Sequence, residues 1–421
     1  MLAFFNKRKN YGIKPGLERI NRLLELLDHP QNKTKAIHIA GTNGKGSTIS
    51  YLQHVLMANG YKVGVYVSPS LSSLTGHIFC NDHKISDEAF LQILNIMYPA
   101  ICELDESGDY PTEYEILTAL AFMYFKDHVD IALIETAMGG RYDTTNCFQP
   151  ILSIITNIDK DHTSFLGETI REITYHKAGI IKDDIPVIVG DVTDEAFNVI
   201  QEEATTKQAE IYRLYEEFNY QLIQANNHKQ TFTWFDSHGK SIKIAIQMCG
   251  EHQVKNSAVA MMAIQYSMEI GYKIDMKKSL IGIEQASVPG RFELIQEKPM
   301  IILDGAHNLA GIKAFIDTAT EHYRKMNKHL IFAGFKDKEL HKMLQSLSGS
   351  FSTITVTSFE HQRAASAEYL YNLIDSKHVF KIENWKQAIE AIHKHSANEN
   401  EVYFITGSLN FIAVVRNYLL K

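Results

Sequence analysis

Apolar positions recur along the chain in two rhythms. Leu17, Ile20, Leu23, Leu24 and Leu27 follow one another at helical spacing, which predicts an amphipathic helix over residues 14–29. Short, mainly apolar runs appear at 37–40, 62–67, 129–135, 151–157 and 186–190. Runs of strand length that do not alternate belong to strands covered on both faces, as in a parallel sheet flanked by helices. Helical periods lie between them, at 49–59, ended by Gly60, and at 87–103. A further helix runs to about Lys126 from Thr112-Glu113-Tyr114-Glu115, whose spacing is that of a capping box.

Near residue 210 the pattern changes. Residues 232–235 and 242–246, separated by Asp236-Ser237-His238-Gly239, predict a β-hairpin. Helices follow over 253–270 and from Met276. Ser287-Val288-Pro289-Gly290 reads as a linker, which divides the chain into residues 1–289 and 290–421. Beyond it the strand–helix alternation resumes, with strands expected at 300–304, 329–334, 352–357, 378–382 and 401–406.

Composition narrows the function classes. A chain of 421 residues exceeds one typical core, so two domains are expected. The net charge of −7 and the lack of a long basic run give no indication of a nucleic-acid surface. Cys80, Cys102, Cys147 and Cys249 are scattered, as reduced thiols are, and form no C-x-x-C pair. The apolar run at the N-terminus is too short for a signal peptide, and no segment has the length of a membrane span. The expectation is a cytoplasmic monomer without nucleic-acid or membrane partners.

Chemistry concentrates after the run at 37–40. Gly41-Thr42-Asn43-Gly44-Lys45-Gly46-Ser47-Thr48 joins a buried strand to a helix, the order of a phosphate cradle. Lys45 supplies charge for phosphates, and Ser47 or Thr48 a hydroxyl for a metal. Gly46 separates lysine from hydroxyls, so the spacing departs from the common G-x-x-x-x-G-K-[ST]. A glycine turn without a ligand is the alternative, against which strand, loop, lysine and helix agree. Ligands of a doubly wound sheet sit beyond the carboxyl ends of its strands. There the other strands deliver Ser68, Glu135, and Asp159, Asp161 and His162. Glu135 with either Asp161 or His162 suits Mg²⁺, and oxygen chemistry alone favours Asp161.

These motifs carry a resemblance. HIAGTNGKGST resembles the phosphate loop of the folylpolyglutamate synthase and dihydrofolate synthase family, a branch of the Mur ligases. Further blocks follow in family order: Lys14-Pro15-Gly16-Leu17-Glu18-Arg19-Ile20, Gly139-Gly140-Arg141-Tyr142-Asp143-Thr144-Thr145-Asn146 and Lys177-Ala178-Gly179-Ile180-Ile181-Lys182. Gly250-Glu251-His252-Gln253 with Asn256, Pro289-Gly290-Arg291-Phe292-Glu293, Asp304-Gly305-Ala306-His307-Asn308 and Thr406-Gly407-Ser408-Leu409 complete the set. The fold expected is α/β: an N-terminal P-loop mononucleotide-binding domain with a doubly wound, mostly parallel sheet and a small β-hairpin region, then a smaller Rossmann-like C-terminal domain.

The resemblance implies that ATP phosphorylates a carboxylate and that L-glutamate attacks the acyl phosphate, giving an amide, ADP and phosphate. The acceptor would be dihydropteroate or a reduced folate. Gly41 to Thr48 would cradle ATP, with Asn256, Arg291, Asp304 and His307 as further nucleotide contacts. Ser47, Ser68, Glu135 and His162 match metal ligands for two Mg²⁺ ions, overruling Asp161. Lys177 matches a carbamylated lysine, where sequence alone favours a plain surface lysine. Lys45, Lys177, Glu135 and His162 are therefore the expected catalytic set. Thr112, Glu113, Tyr114, Glu115, Tyr142, Asp143 and Thr144 match stretches lining the pterin site. Contacts on both sides of the linker imply closure over ATP.

Several positions depart from the family pattern. The usual Ser-Pro-His-Leu reads Ser68-Pro69-Ser70-Leu71, and Glu-Arg-Ile reads Gly76-His77-Ile78. Ile158-Asp159-Lys160-Asp161-His162 adds charge beside the metal position, and Gly-Ser-Leu-Tyr ends in Asn410. A Mur-type ligase for a different acid, or a nucleotide-binding member that has lost ligation, are the alternative readings.

Overall fold

A computed structural model of the chain describes residues 2–12, 14–70, 73–225, 229–375, 377–395 and 400–420. Leu71, part of the altered block after Ser68, lies outside the described residues. The chain forms two compact units, residues 1–221, 232–245 and 255–286, and residues 222–231, 246–254 and 287–421.

The first unit is built on β1 (Ala36–Ala40), β2 (Val63–Tyr66), β3 (Ile78–Cys80), β4 (His83–Lys84), β5 (Ile131–Glu135), β6 (Leu152–Asn157), β7 (Val187–Asp191) and β8 (Ile211–Arg213). They form one sheet in the order β4-β3-β2-β5-β1-β6-β7-β8. From β2 to β8 all pairings are parallel, and only β3 and β4 run antiparallel at one edge. The chain starts in the middle at β1, winds outward through β2, returns to β5 and crosses to β6. The doubly wound sheet expected from the apolar runs is present.

Burial explains why those runs do not alternate. Every residue of β1, β2 and β5 is buried. Ala36, Tyr66, Ala132 and Ile134 pack with Phe90, Leu120 and Phe122 on one face, while Ala40, Ile155 and Val189 pack with Ile173 and Ile200 on the other. The helix expected over 14–29 is shorter, Glu18–Leu26, because Gly16 stands at φ +119 in the turn before it. Ile20, Leu23 and Leu24 are its buried face. A helix not read from the sequence, Leu2–Lys9, precedes it.

The anticipated hairpin has a third strand. β9 (Phe218–Ala225), β10 (Gln230–Asp236) and β11 (Ser241–Ile246) lie in the order β11-β10-β9. Most of β9 is at least partly exposed, so its polar sequence carried no strand signal.

The second unit contains β12 (Glu293–Glu297), β13 (Met300–Leu303), β14 (Asn327–Phe332), β15 (Thr353–Ser358), β16 (Val379–Asn384) and β17 (Glu401–Thr406), in the order β12-β13-β17-β14-β15-β16. All pairs are parallel except the edge strand β12, which the sequence did not reveal. Neighbouring residues serve opposite cores. Leu330, Phe332 and Phe404 pack on one face, and Ile331, Tyr403 and Ile405 on the other.

Candidate active site

The loop after β1 is stitched to the end of β6. Thr42 N–H donates to the Asn157 carbonyl (3.0 Å), Asn43 N–H to Asn157 Oδ1 (2.8 Å), and Thr156 Oγ1 to the Asn43 carbonyl (2.6 Å). Thr42 Oγ1 and the Asp159 backbone bond reciprocally, each at 3.0 Å. Gly41 is at φ +150, and a Cβ there would strike Thr156 Oγ1. Gly44, at φ +84, caps the helix Lys45–Ala58, which starts four residues earlier than the apolar period indicated. A Cβ on Gly44 would strike Asn256 Oδ1, so Asn256 lies against the loop. At Gly46 an added Cβ meets no atom within 4 Å. Thr156 and Asn157, which hold the loop, were not singled out from the sequence; their only signal was a polar pair ending an apolar run.

Two lysine Nζ atoms converge on one carbonyl. Lys45 Nζ donates to the Gly41 carbonyl at 3.0 Å and lies 3.9 Å from Glu135 Oε1. Lys177 Nζ donates to the same carbonyl at 2.9 Å. Lys177 stands near the end of the helix Ile170–Ala178 and is only 4% exposed, which corrects the surface lysine favoured by its sequence context. Burial, reinforced by the charge of Lys45, pushes its pKa down from 10.5 to about 7. Asp161 and Asp143 oppose that shift.

Glu135 ends β5 beside Ile39 of β1, and its Oε2 accepts the Ser68 N–H at 3.4 Å. Ser47 and Thr48 are buried in the first turn of the helix after the loop. Ser47, Ser68 and Glu135 thus occupy the carboxyl edge of adjacent strands β2, β5 and β1. His162 is exposed at φ +52 in the loop after β6, and its N–H donates to Asp161 Oδ1 (2.8 Å). Among the described residues no three His, Cys, Asp or Glu side chains form a metal-holding group. The donors near the loop are instead hydroxyls and one carboxylate, hard oxygens that fit Mg²⁺ shared with phosphate.

The stretches matched to substrate have defined local roles. Thr112 and Glu115 close a capping box, with Thr112 N–H to Glu115 Oε2 at 2.7 Å and Glu115 N–H to Thr112 Oγ1 at 3.3 Å. Glu113 follows as the first residue of the helix Glu113–His128, and Tyr114 stacks on Tyr66 with centroids 5.8 Å apart. Asp143 is buried, and its oxygens accept Ala137 N–H, Met138 N–H, Thr145 N–H and Thr145 Oγ1 at 2.6–3.0 Å. Burial raises its pKa against those hydrogen bonds. Thr145 Oγ1 also meets His38 Nε2 at 2.9 Å, and burial pushes that imidazole down to about 3, so it is neutral. Thr144 is buried, while Tyr142 is exposed and edge-on to His176.

In the second unit, Asp304 follows β13. Its oxygens accept Phe292 N–H (2.9 Å) and Ala306 N–H (2.8 Å). Burial raises its pKa, and the Arg291 charge opposes this. His307 Nδ1 donates to the Gly305 carbonyl at 2.8 Å.

Comparison with known proteins places the chain in a family. Residues 39–264 match the Mur ligase middle domain, and residues 290–409 the Mur ligase glutamate ligase domain. The chain is 36% identical over 424 residues to a dihydrofolate synthase/folylpolyglutamate synthase of Bacillus subtilis, covering 99% of this chain and 98% of that one. It is similar to the crystal structure of folylpolyglutamate synthase from Thermotoga maritima, with a TM-score of 0.87, 32% identity, and coverage of 100% and 96%. It is also similar to FolC of E. coli in complex with DHPP and ADP, with a TM-score of 0.89, 26% identity, and coverage of 99% and 97%.

Proposed function

The chain belongs to the folylpolyglutamate synthase/dihydrofolate synthase family of Mur-type ligases, and from that membership we propose how its own residues carry the reaction. It is an ATP-dependent ligase that joins L-glutamate to a folate-type carboxylate, releasing ADP and phosphate. The observation that carries the reading is the loop 41–48, with the Nζ atoms of two lysines donating to the Gly41 carbonyl and Glu135 within 3.9 Å of one of them. The loop amides and the positive end of the helix Lys45–Ala58 hold the triphosphate, and Lys45 turns from the Gly41 carbonyl to the phosphate oxygens. An oxygen of the acceptor carboxylate attacks the γ-phosphorus, forming an acyl phosphate and ADP. The glutamate amine then attacks the acyl carbon, loses a proton, and expels phosphate. Positioning and charge neutralisation supply most of such a rate enhancement.

Ser47, Ser68, Glu135 and His162 would hold Mg²⁺, which when bound neutralises phosphate charge. Lys177 is assigned a carbamate. A pKa near 7 leaves much of the amine neutral at physiological pH, and only the neutral amine has the electron pair that attacks CO₂, giving a carbamate and a proton. The anion would suit a site holding divalent cations. Asn256, Arg291, Asp304 and His307 are read as nucleotide contacts, and Thr112 to Glu115 with Tyr142 to Thr144 as the acceptor-acid subsite. The reading includes action as a monomer in the cytoplasm; four free cysteines suit a reducing compartment.

One observation favours a second reading, a ligase of this family acting on a different acid. His77 stands where the family pattern has arginine. Its Nδ1 donates to the Val67 carbonyl at 2.8 Å, and burial lowers its pKa, so a fixed cation is replaced by a neutral ring. The deciding experiment is ADP release with ATP, Mg²⁺ and L-glutamate, adding dihydropteroate or tetrahydrofolate in turn. Stimulation by one or both is expected; stimulation by neither rejects the folate acceptor.

A further inference from the structure

Three arginines from the first 22 residues grip one corner of the first unit, residues 105–115. Arg8 is 4% exposed and donates from its two terminal nitrogens to the two oxygens of Asp105, at 2.7 and 2.5 Å. The same guanidinium reaches the Pro111 carbonyl at 3.3 Å. Arg22 pairs with Asp109. Arg19 Nε lies 3.1 Å from Glu115 Oε1, and its Nη2 donates back to the Lys14 carbonyl at 2.8 Å.

Glu115 is the unusual member of this corner. It is 1% exposed, and its Oε2 already accepts the Thr112 N–H that closes the capping box. A carboxylate so buried requires a compensating charge, which Arg19 supplies. The turn Lys14-Pro15-Gly16, with Gly16 at φ +119, aims Arg19 there. Sequence and structure thus join the block at 14–20 to the first turn of the helix Glu113–His128.

We propose that Arg19 is a positioning residue for the acceptor acid. By holding Glu115 it fixes the first helical turn and so the direction of Glu113 and Tyr114, while Arg8 holds the preceding Pro111 carbonyl. Tyr114 in turn stacks on Tyr66, at the end of the strand that leads to Ser68. The inference rests on the reading of Thr112 to Glu115 as part of the acceptor subsite. A displacement of about 1 Å in such a wall is enough to cost up to 10²-fold in turnover efficiency.

The test is steady-state kinetics with the acid that stimulates ADP release. Arg19→Gln is expected to raise the KM for that acid at least tenfold, with the KM for ATP within twofold and kcat at saturating acid within threefold. Arg19→Lys keeps the charge without the planar fork, and recovers part of the loss. If Arg19→Gln does not fold, Arg19→Lys is measured instead, with a smaller rise in the KM for the acid and none in that for ATP expected. An unchanged KM for the acid, or equal rises in both KM values, overturns the proposal. Tyr114→Ala separates the two layers of the argument. If it leaves the KM for the acid unchanged, the subsite reading fails; if it raises that KM while Arg19→Gln does not, only the role of Arg19 fails.

Discussion

Replacing Lys177 by methionine should make the protein more stable and inactive. The side chain is buried, and its pKa falls from 10.5 to about 7. Because the folded pKa is the lower one, the unfolded chain binds the extra proton between pH 7 and 10.5, and wild-type stability rises with pH across that window. At 1.36 kcal/mol per pKa unit, the lysine destabilises the fold by about 5 kcal/mol at pH 6, about 4 at pH 7 and about 2 at pH 9, vanishing above pH 10.5. The lost hydrogen bond to the Gly41 carbonyl returns about 1 kcal/mol in the other direction, independent of pH.

The assay is guanidinium denaturation of wild type and Lys177→Met in CO₂-depleted buffers from pH 6 to 10, read as the difference between the two proteins. Lys177→Met is expected to be the more stable at pH 6–7, with an advantage that shrinks as pH rises. A difference constant over pH would refute the reasoning, since it would mean that the amine keeps its ordinary pKa in the fold. ADP release should be lost in Lys177→Met at every pH, and bicarbonate should not restore it.

Other outcomes follow from single positions. Gly44→Ala puts a methyl against Asn256 Oδ1 at φ +84, and should cost about 1–3 kcal/mol in thermal denaturation and weaken ADP binding. Gly46→Ala meets no protein atom, so its stability should stay within about 0.5 kcal/mol of wild type while ATP affinity, measured by calorimetry, falls. Glu135→Ala should raise the Mg²⁺ concentration for half-maximal ADP release roughly tenfold or more; an unchanged requirement removes Glu135 from the metal set. Asp304→Asn turns an NH₂ toward Phe292 N–H or Ala306 N–H, and should lower stability by about 1–3 kcal/mol, read by denaturation.

The elements of the active edge were legible in the chain because burial on both faces leaves apolar runs that do not alternate, as in β1, β5 and β6. Exposed or edge strands were not legible. β9 and β12 are largely polar, and pair through backbone groups that any residue carries. Gly41, Gly44, Lys45 and Ser47 were legible as a motif because they lie in a glycine-rich turn from a buried strand into a helix, where β1 and Lys45–Ala58 stand.

What the sequence determined by itself is the family, the order of the buried strands with the helices between them, and the glycine loop between β1 and the helix after it. These are written in local spacing, which one stretch of chain carries alone. Only the tertiary structure decided that Lys177 is a buried amine with a depressed pKa on the Gly41 carbonyl, 136 residues from it in the chain. It also decided that Asp143 staples its own loop, and that Arg19 answers the charge of Glu115. Burial and Coulomb interaction depend on distance through space, and no periodicity along the chain encodes which distant groups will share a low-dielectric site.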